Sequence, residues 1–276
     1  MKLANRTRYS SSIPNRLLRE GSWHLLPLYY LARLSYLGAE GIENSGSYHF
    51  ADHIYVGKPK GRFAVGKLLD AALLSLPSSR SFRSRFIHSR DVIVKRGLEN
   101  TANSYRVLSV PCGIPRDLIE AARELEQHTG GQSLRTTFYC LDLDPAVLSE
   151  TSTLLASSKL SNFQLIQSDA FDETAYPAEL DLITSTGFAE FLDEQSLVRF
   201  YNICFRRLRP GGVFITSSTV RHKLSDYFLR NIAELLASYR DEESLRALFA
   251  QTPFQHVALE RDQVGFQVLV TAARVV

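Results

Sequence analysis

Cysteine is scarce in this chain, and the little there is follows no pattern. Cys112, Cys140 and Cys204 are odd in number and far apart among 276 residues. No paired Cys or Cys/His spacing of a metal site occurs, and an odd count cannot form a fully paired disulfide framework. The expectation is a reducing compartment and no bound metal. Long apolar runs are missing too. The longest near the N-terminus, residues 25–37, is broken by Pro27 and Arg33. It is too short to span a bilayer and lacks a clear cleavage site, so a cytoplasmic protein without a membrane partner is expected. Internal repeats and low-complexity tracts are also absent.

What is present is a globular composition with uneven charge. Hydrophobic residues make up 45% of the chain, enough for a sizeable core, and the length suits one large domain or a domain with a cap. Residues 1–100 carry 16 Lys/Arg against 7 Asp/Glu, whereas the remainder carries 16 against 22. A basic first third can attract nucleic acid, an acidic carrier protein or a carboxylate substrate, or can simply be a solvated surface. No recognisable RNA-binding module accompanies it, which argues against nucleic acid. The oligomeric state cannot be read from the sequence.

Residues 1–20 read as a basic, Ser-rich arm. Residues 23–37, 66–76 and 81–100 have helical spacing, and together they suggest a helical cap over residues 1–103. The aromatic stretch 46–55 holds His49 and His53 on one helical face near Asp52, a pair that is more often structural than metal-binding without further ligands.

From Tyr105 onward strands and helices alternate, which defines a second domain at 104–276. Residues 105–110 form an apolar strand, and Cys112-Gly113 makes a turn that lets backbone approach a ligand closely. Ile114, Leu118, Ile119, Ala122 and Leu125 then keep helical spacing. Such a strand–turn–helix aims free N–H groups above the turn. A second strand, 136–142, ends in Asp142. Leu143 follows, and Asp144-Pro145 starts a helix. An acid in Asp142's place can accept both ribose hydroxyls of a nucleotide. Further strands are expected at 162–167, 180–185 and 213–216, with a helix at 196–208, another at 226–249 and a closing hairpin at 254–272. A Leu-Arg-Pro-Gly-Gly turn, 208–212, precedes the fifth strand.

The order of these features resembles the class I S-adenosylmethionine (SAM) methyltransferases over about residues 104–275. The carriers are the turn Ser109-Val-Pro-Cys-Gly-Ile-Pro-Arg-Asp117, Asp142, the Ser168-Asp169-Ala170-Phe171 corner and the Pro-Gly-Gly turn. The resemblance implies an α/β, Rossmann-like, seven-stranded fold with SAM as cofactor or substrate. It implies SAM contacts at Ser109, Pro111, Cys112, Gly113, Asp142, Leu143, Ser168, Asp169, Ala170 and Phe171. Thr184 to Phe188 would floor the reaction site, with Ser185 and Thr186 as SAM contacts, and Arg85 and Arg90 are candidates to clamp the SAM carboxylate. The family usually has an acid at position 109 and glycines at 111 and 115; this chain has Ser109, Pro111 and Pro115.

The missing acid gives the resemblance a narrower direction, toward the azetidine-2-carboxylate synthase branch. There the amine of SAM attacks the carbon beside sulfur and methylthioadenosine leaves. A neutral amine is needed, and a carboxylate beside it would oppose that. An aromatic face can support the sulfonium. Tyr176 is the first candidate, with Tyr55 of the cap as the second and Tyr48 and Trp23 as others. The alternatives are an O- or N-methyltransferase acting on a small molecule, and a binding protein for an acidic carrier or RNA.

Overall fold

Seven strands line up in one sheet in the order β3-β2-β1-β4-β5-β7-β6. This was seen in a computed structural model that describes residues 12–44, 46–100, 104–129, 135–222 and 238–275. The strands are β1 (Ser104–Ser109), β2 (Arg135–Asp142), β3 (Phe163–Gln167), β4 (Leu180–Ser185), β5 (Leu208–Thr219), β6 (His256–Arg261) and β7 (Gln267–Ala273). The first five are parallel; β7 runs antiparallel to β5 and β6. Every residue of β4 is buried. That is the signature of a parallel strand covered on both faces. β6, at the edge, alternates exposed and half-buried residues and ends in Glu260 and Arg261, which discourages further pairing. The expected seven-stranded α/β fold is therefore the one observed.

Helices α7 (Arg116–Thr129), α8 (Pro145–Ser158), α9 (Glu194–Arg207) and α10 (Glu242–Phe249) complete this unit with the later part of α6 (Pro77–Glu99). Three of them start where an aspartate can cap them. Asp144, Asp193 and Asp241 accept from Ala146, Ser196 and Ser244 N–H, respectively. Phe200 and Tyr201 of α9 pack against Phe214 of β5, and Tyr201 stacks on Phe249 of α10 at 4.7 Å. The expected helix over 226–249 begins only at Glu242 among the described residues, because Asp241 caps it; 223–237 lie outside them. The expected loop at 128–133 lies partly outside them, and α7 itself runs to Thr129. β5 is longer than expected and absorbs the Pro-Gly-Gly turn. Gly211, at φ +79°, donates to Arg274 C=O, so the segment stays paired as an irregular strand.

The described residues divide into two units, one of 12–83 with 221–222 and one of 84–220 with 238–275. The division falls inside α6 rather than at residue 103. The first unit holds α1 (Ser12–Arg19), α2 (Leu26–Ala32), α3 (Tyr36–Glu43), α4 (Tyr48–Val56), α5 (Phe63–Ser75) and the start of α6. The single helix expected over 23–37 is broken into a short 3-10 turn and α2, with α3 starting afresh. Ser35 breaks it by capping α3 through Gly38 N–H and donating to Asp70. Asp70 is the hub of this unit. Its buried carboxylate accepts from Ser35 Oγ (2.6 Å), Leu37 N–H (2.7 Å), Lys60 N–H (2.8 Å) and His53 Nε2 (2.6 Å). His53 is thus spent on Asp70, and His49 lies against Tyr48 at 4.2 Å. Among the described residues no cluster of three His, Cys, Asp or Glu side chains could hold a metal. Among them, too, no helix is long and apolar enough to cross a membrane.

Candidate functional site

The ends of β1, β2 and β3 are stitched together by the turns that follow them. Val110 N–H donates to Thr184 C=O of β4 and Cys112 N–H to Leu141 C=O of β2, so the first turn is tied to both neighbouring strands. Gly113 sits at φ +49°, a conformation that favours glycine, and its N–H donates to Asp142 Oδ2 at 3.0 Å. Asp144 N–H takes Oδ1 at 3.0 Å. Ser168 N–H, after β3, takes the Asp142 carbonyl at 3.0 Å. Asp142 thereby joins three turns at the carboxyl edge of the sheet, where open α/β folds bind ligands. Burial raises its pKa; the N–H groups of Asp144 and Gly113 pull the other way without cancelling the rise. Each oxygen has one N–H partner and keeps capacity for a second donor.

The remaining residues flank this junction. Leu143 is 47% exposed, an apolar side chain held in the open beside Asp142. Asp169 Oδ1 accepts from Phe171 N–H at 2.8 Å, which closes the third turn, and Ala170 is buried. Ser168 Oγ donates to Asp172. Cys112 is buried, and a hydrogen bond with Cys140, then burial, push its thiol well above the ordinary range. It is no thiolate nucleophile. Pro111 follows a cis peptide bond and is half-buried. At the end of β4, Ser185 C=O accepts from Thr216 Oγ1, and Thr186 is half-buried.

Three expected residues have packing or polar partners of their own. Tyr176 is 3% exposed within the main core, and its hydroxyl donates to Ala170 C=O at 2.5 Å. A ring so enclosed offers no face to a sulfonium; Tyr176 instead braces the turn after β3. Tyr176→Phe should cost about 1 kcal/mol of stability and leave turnover per folded molecule unchanged, as denaturation and rate measurements would show. Arg90 is engaged by carboxylates of α6 and α7. Its guanidinium bonds Asp91 and reaches Glu120 at 3.5 Å, so it is no carboxylate clamp. Tyr55 packs within the first unit, against Leu37, Ile54 and Leu74.

Arg85, the other candidate clamp, lies on a polar face of α6 that sequence reasoning missed. Arg85, buried, lies 3.3 Å from Glu190, which also accepts from Thr219 Oγ1 at 2.7 Å. Ser89 donates to Asp117 Oδ2 at 2.6 Å and lies 2.8 Å from Thr184 Oγ1. Arg85 also explains Gly187, in the loop after β4. A Cβ at Gly187 would lie 2.6 Å from the guanidinium, and its φ is +88°. Gly187→Ala should therefore cost about 2 kcal/mol in a denaturant titration.

Comparison with curated proteins returns no match. Among solved structures, a possible exported protein from Bordetella parapertussis has a TM-score of 0.79 at 17% identity, over 100% of both chains. The S-adenosylmethionine-dependent methyltransferase SibL has a TM-score of 0.58 at 14% identity, over 95% of this chain and 77% of that one. Magnesium protoporphyrin IX methyltransferase from Synechocystis PCC 6803, with bound S-adenosylhomocysteine, has 0.52 at 12% identity, over 71% and 86%. These likenesses show the fold. A family model described as "Putative methyltransferase" matches residues 32–265, well over half of the sequence, and the chain belongs to that family.

Proposed function

We propose that this chain is a SAM-dependent methyltransferase acting on a small molecule. The observation that carries this reading is Asp142, a carboxylate fixed by Gly113 and Asp144 N–H groups at the carboxyl edge of a methyltransferase-type sheet. Its free acceptor capacity suits a pair of ribose hydroxyls. Exposed Leu143 suits one face of an adenine, and the Asp169–Phe171 turn suits its polar edge. SAM would supply an electrophilic methyl carbon on a sulfonium. The protein's part would be to hold the nucleoside, orient the acceptor and exclude water. No buried nucleophile is needed, which agrees with the protonated, enclosed Cys112.

Cyclisation of SAM to azetidine-2-carboxylate is the second reading, and Ser109 is the feature in its favour, since an uncharged residue ends β1. It has lost support at Tyr176, whose ring is enclosed, and a buried carboxylate, Asp117, stands near Ser109's strand partner Thr184. Incubation with SAM alone, with products read by mass spectrometry, separates the two. Methyl transfer predicts SAM that persists until an acceptor is added and then yields S-adenosylhomocysteine. Methylthioadenosine and a four-membered cyclic amino acid, formed faster than spontaneous decay, would reverse the choice.

A further inference from the structure

We infer that Asp117, in the first turn of α7, is the counter-charge for the α-ammonium group of the bound sulfonium amino acid; this rests on the SAM reading above. The argument begins with charge. Other buried carboxylates among the described residues have a guanidinium or at least two backbone N–H groups: Glu190 has Arg85, Asp181 has Arg209, Asp70 takes Leu37 and Lys60 N–H, Asp142 takes Gly113 and Asp144 N–H, and Asp262 takes three N–H groups of its own turn. Asp117 is equally buried but is held by Ser89 Oγ at 2.6 Å, Leu118 N–H at 2.9 Å and, more distantly, Thr184 Oγ1 at 3.5 Å. Among the described residues no lysine, arginine or histidine pairs with it. An ionised carboxylate in that position calls for a positive group, and the described residues supply none.

Its place is the second step. Thr184 is the register partner of Ser109, the last residue of β1, and Ser109 brings no charge. Asp117 thus stands beside the ends of β1 and β4, from which the ligand-facing loops leave. The Cys112 thiol, in the turn that Gly113 shares, feels the negative charge of both Asp142 and Asp117. One short turn therefore has a carboxylate near each side, one suited to the ribose and one with no cationic partner among the described residues. Chemistry makes the assignment. A sulfonium carries charge but no N–H to donate, whereas an ammonium offers three donors and the charge a buried carboxylate lacks.

The test compares S-adenosylhomocysteine, which has the ammonium arm, with methylthioadenosine, which does not, by calorimetric titration of the full chain. Asp117→Asn should weaken S-adenosylhomocysteine by about tenfold to a hundredfold and leave methylthioadenosine unchanged. Adding Ser109→Asp to that variant, which puts a carboxylate on β1, should restore part of the loss. Equal weakening of both ligands, or of neither, would overturn the assignment. If Asp117→Asn does not fold, wild-type protein still decides. Its affinity for S-adenosylhomocysteine should exceed that for the deaminated analogue by about tenfold or more, and equal affinities would overturn the proposal. A wild-type protein that binds none of these ligands would instead overturn the SAM reading on which it rests.

Discussion

Asp142→Ala is expected to lower affinity for S-adenosylhomocysteine by about a hundredfold or more, while the sheet stays folded. Hydrogen bonds to a charged acceptor contribute about 1.5–3 kcal/mol each, and each 1.4 kcal/mol is about tenfold in affinity. Loss of two ribose contacts alone therefore reaches a hundredfold. The same substitution also orphans Gly113 N–H and Asp144 N–H, which loosens the two turns that shape the site. Asp142→Asn keeps the shape but loses the charge, so its effect should be smaller. The pH dependence has a definite sign. Burial raises the Asp142 pKa, so on acidification it takes up its proton before an ordinary aspartate does. Wild-type affinity should fall on acidification while most surface carboxylates are still ionised. An affinity flat down to the ordinary aspartate range, or an Asp142→Ala protein that binds normally, would contradict this.

Asp70→Ala should produce the largest loss of stability, about 3–5 kcal/mol, and confine it to the first unit. Four donors would lose their acceptor in a buried place: Ser35 Oγ, Leu37 N–H, Lys60 N–H and His53 Nε2. These come from the start of α3, the loop before α5, and α4, so one carboxylate fixes three segments. Burial pushes the Asp70 pKa up, but the hydrogen bonds from Leu37, Ser35, Lys60 and His53 more than offset it, and the net shift is downward. A lowered folded-state pKa adds stability above the unfolded value of about 3.9, and that stability is lost as pH falls through the folded value. Unfolding of the first unit should therefore become easier only below the usual aspartate range. Hydrogen exchange of residues 35–75 in wild type and Asp70→Ala would show it. A loss of under about 1 kcal/mol would mean that the network is far weaker than its burial indicates.

The sheet was legible because its strands are apolar and its turns carry Gly, Pro and Asp. Asp144, expected as a cap, is one, and Gly113 occupies the positive-φ place the turn needs. What was legible of the candidate site is its backbone frame, the turns at Gly113, Asp142 and Asp169. The site was not legible where side-chain direction decides. Arg85 and Arg90 lie on the same helix, yet the buried stripe runs through Arg85, Ser89, Ile93 and Gly97. Two of those four are polar, so hydrophobic spacing could not reveal the inward face. Tyr176 was misread for a related reason. Its partner is a backbone carbonyl six residues upstream, and nothing in a Tyr-Pro pair says that the ring turns inward. The break at Ser35 depends on Asp70, 35 residues further along, a contact that local propensity does not contain. The family match, which starts at residue 32, takes in much of the first unit; the sequence resemblance had begun near 104.

The most direct test is a crystal structure of the full chain grown with S-adenosylhomocysteine. The account predicts the adenosine over the ends of β1–β3, with the ribose hydroxyls on Asp142, the adenine against Leu143 and the ammonium toward Asp117. Adenosine bound away from the Gly113 turn, or a ribose that leaves Asp142 untouched, would contradict it.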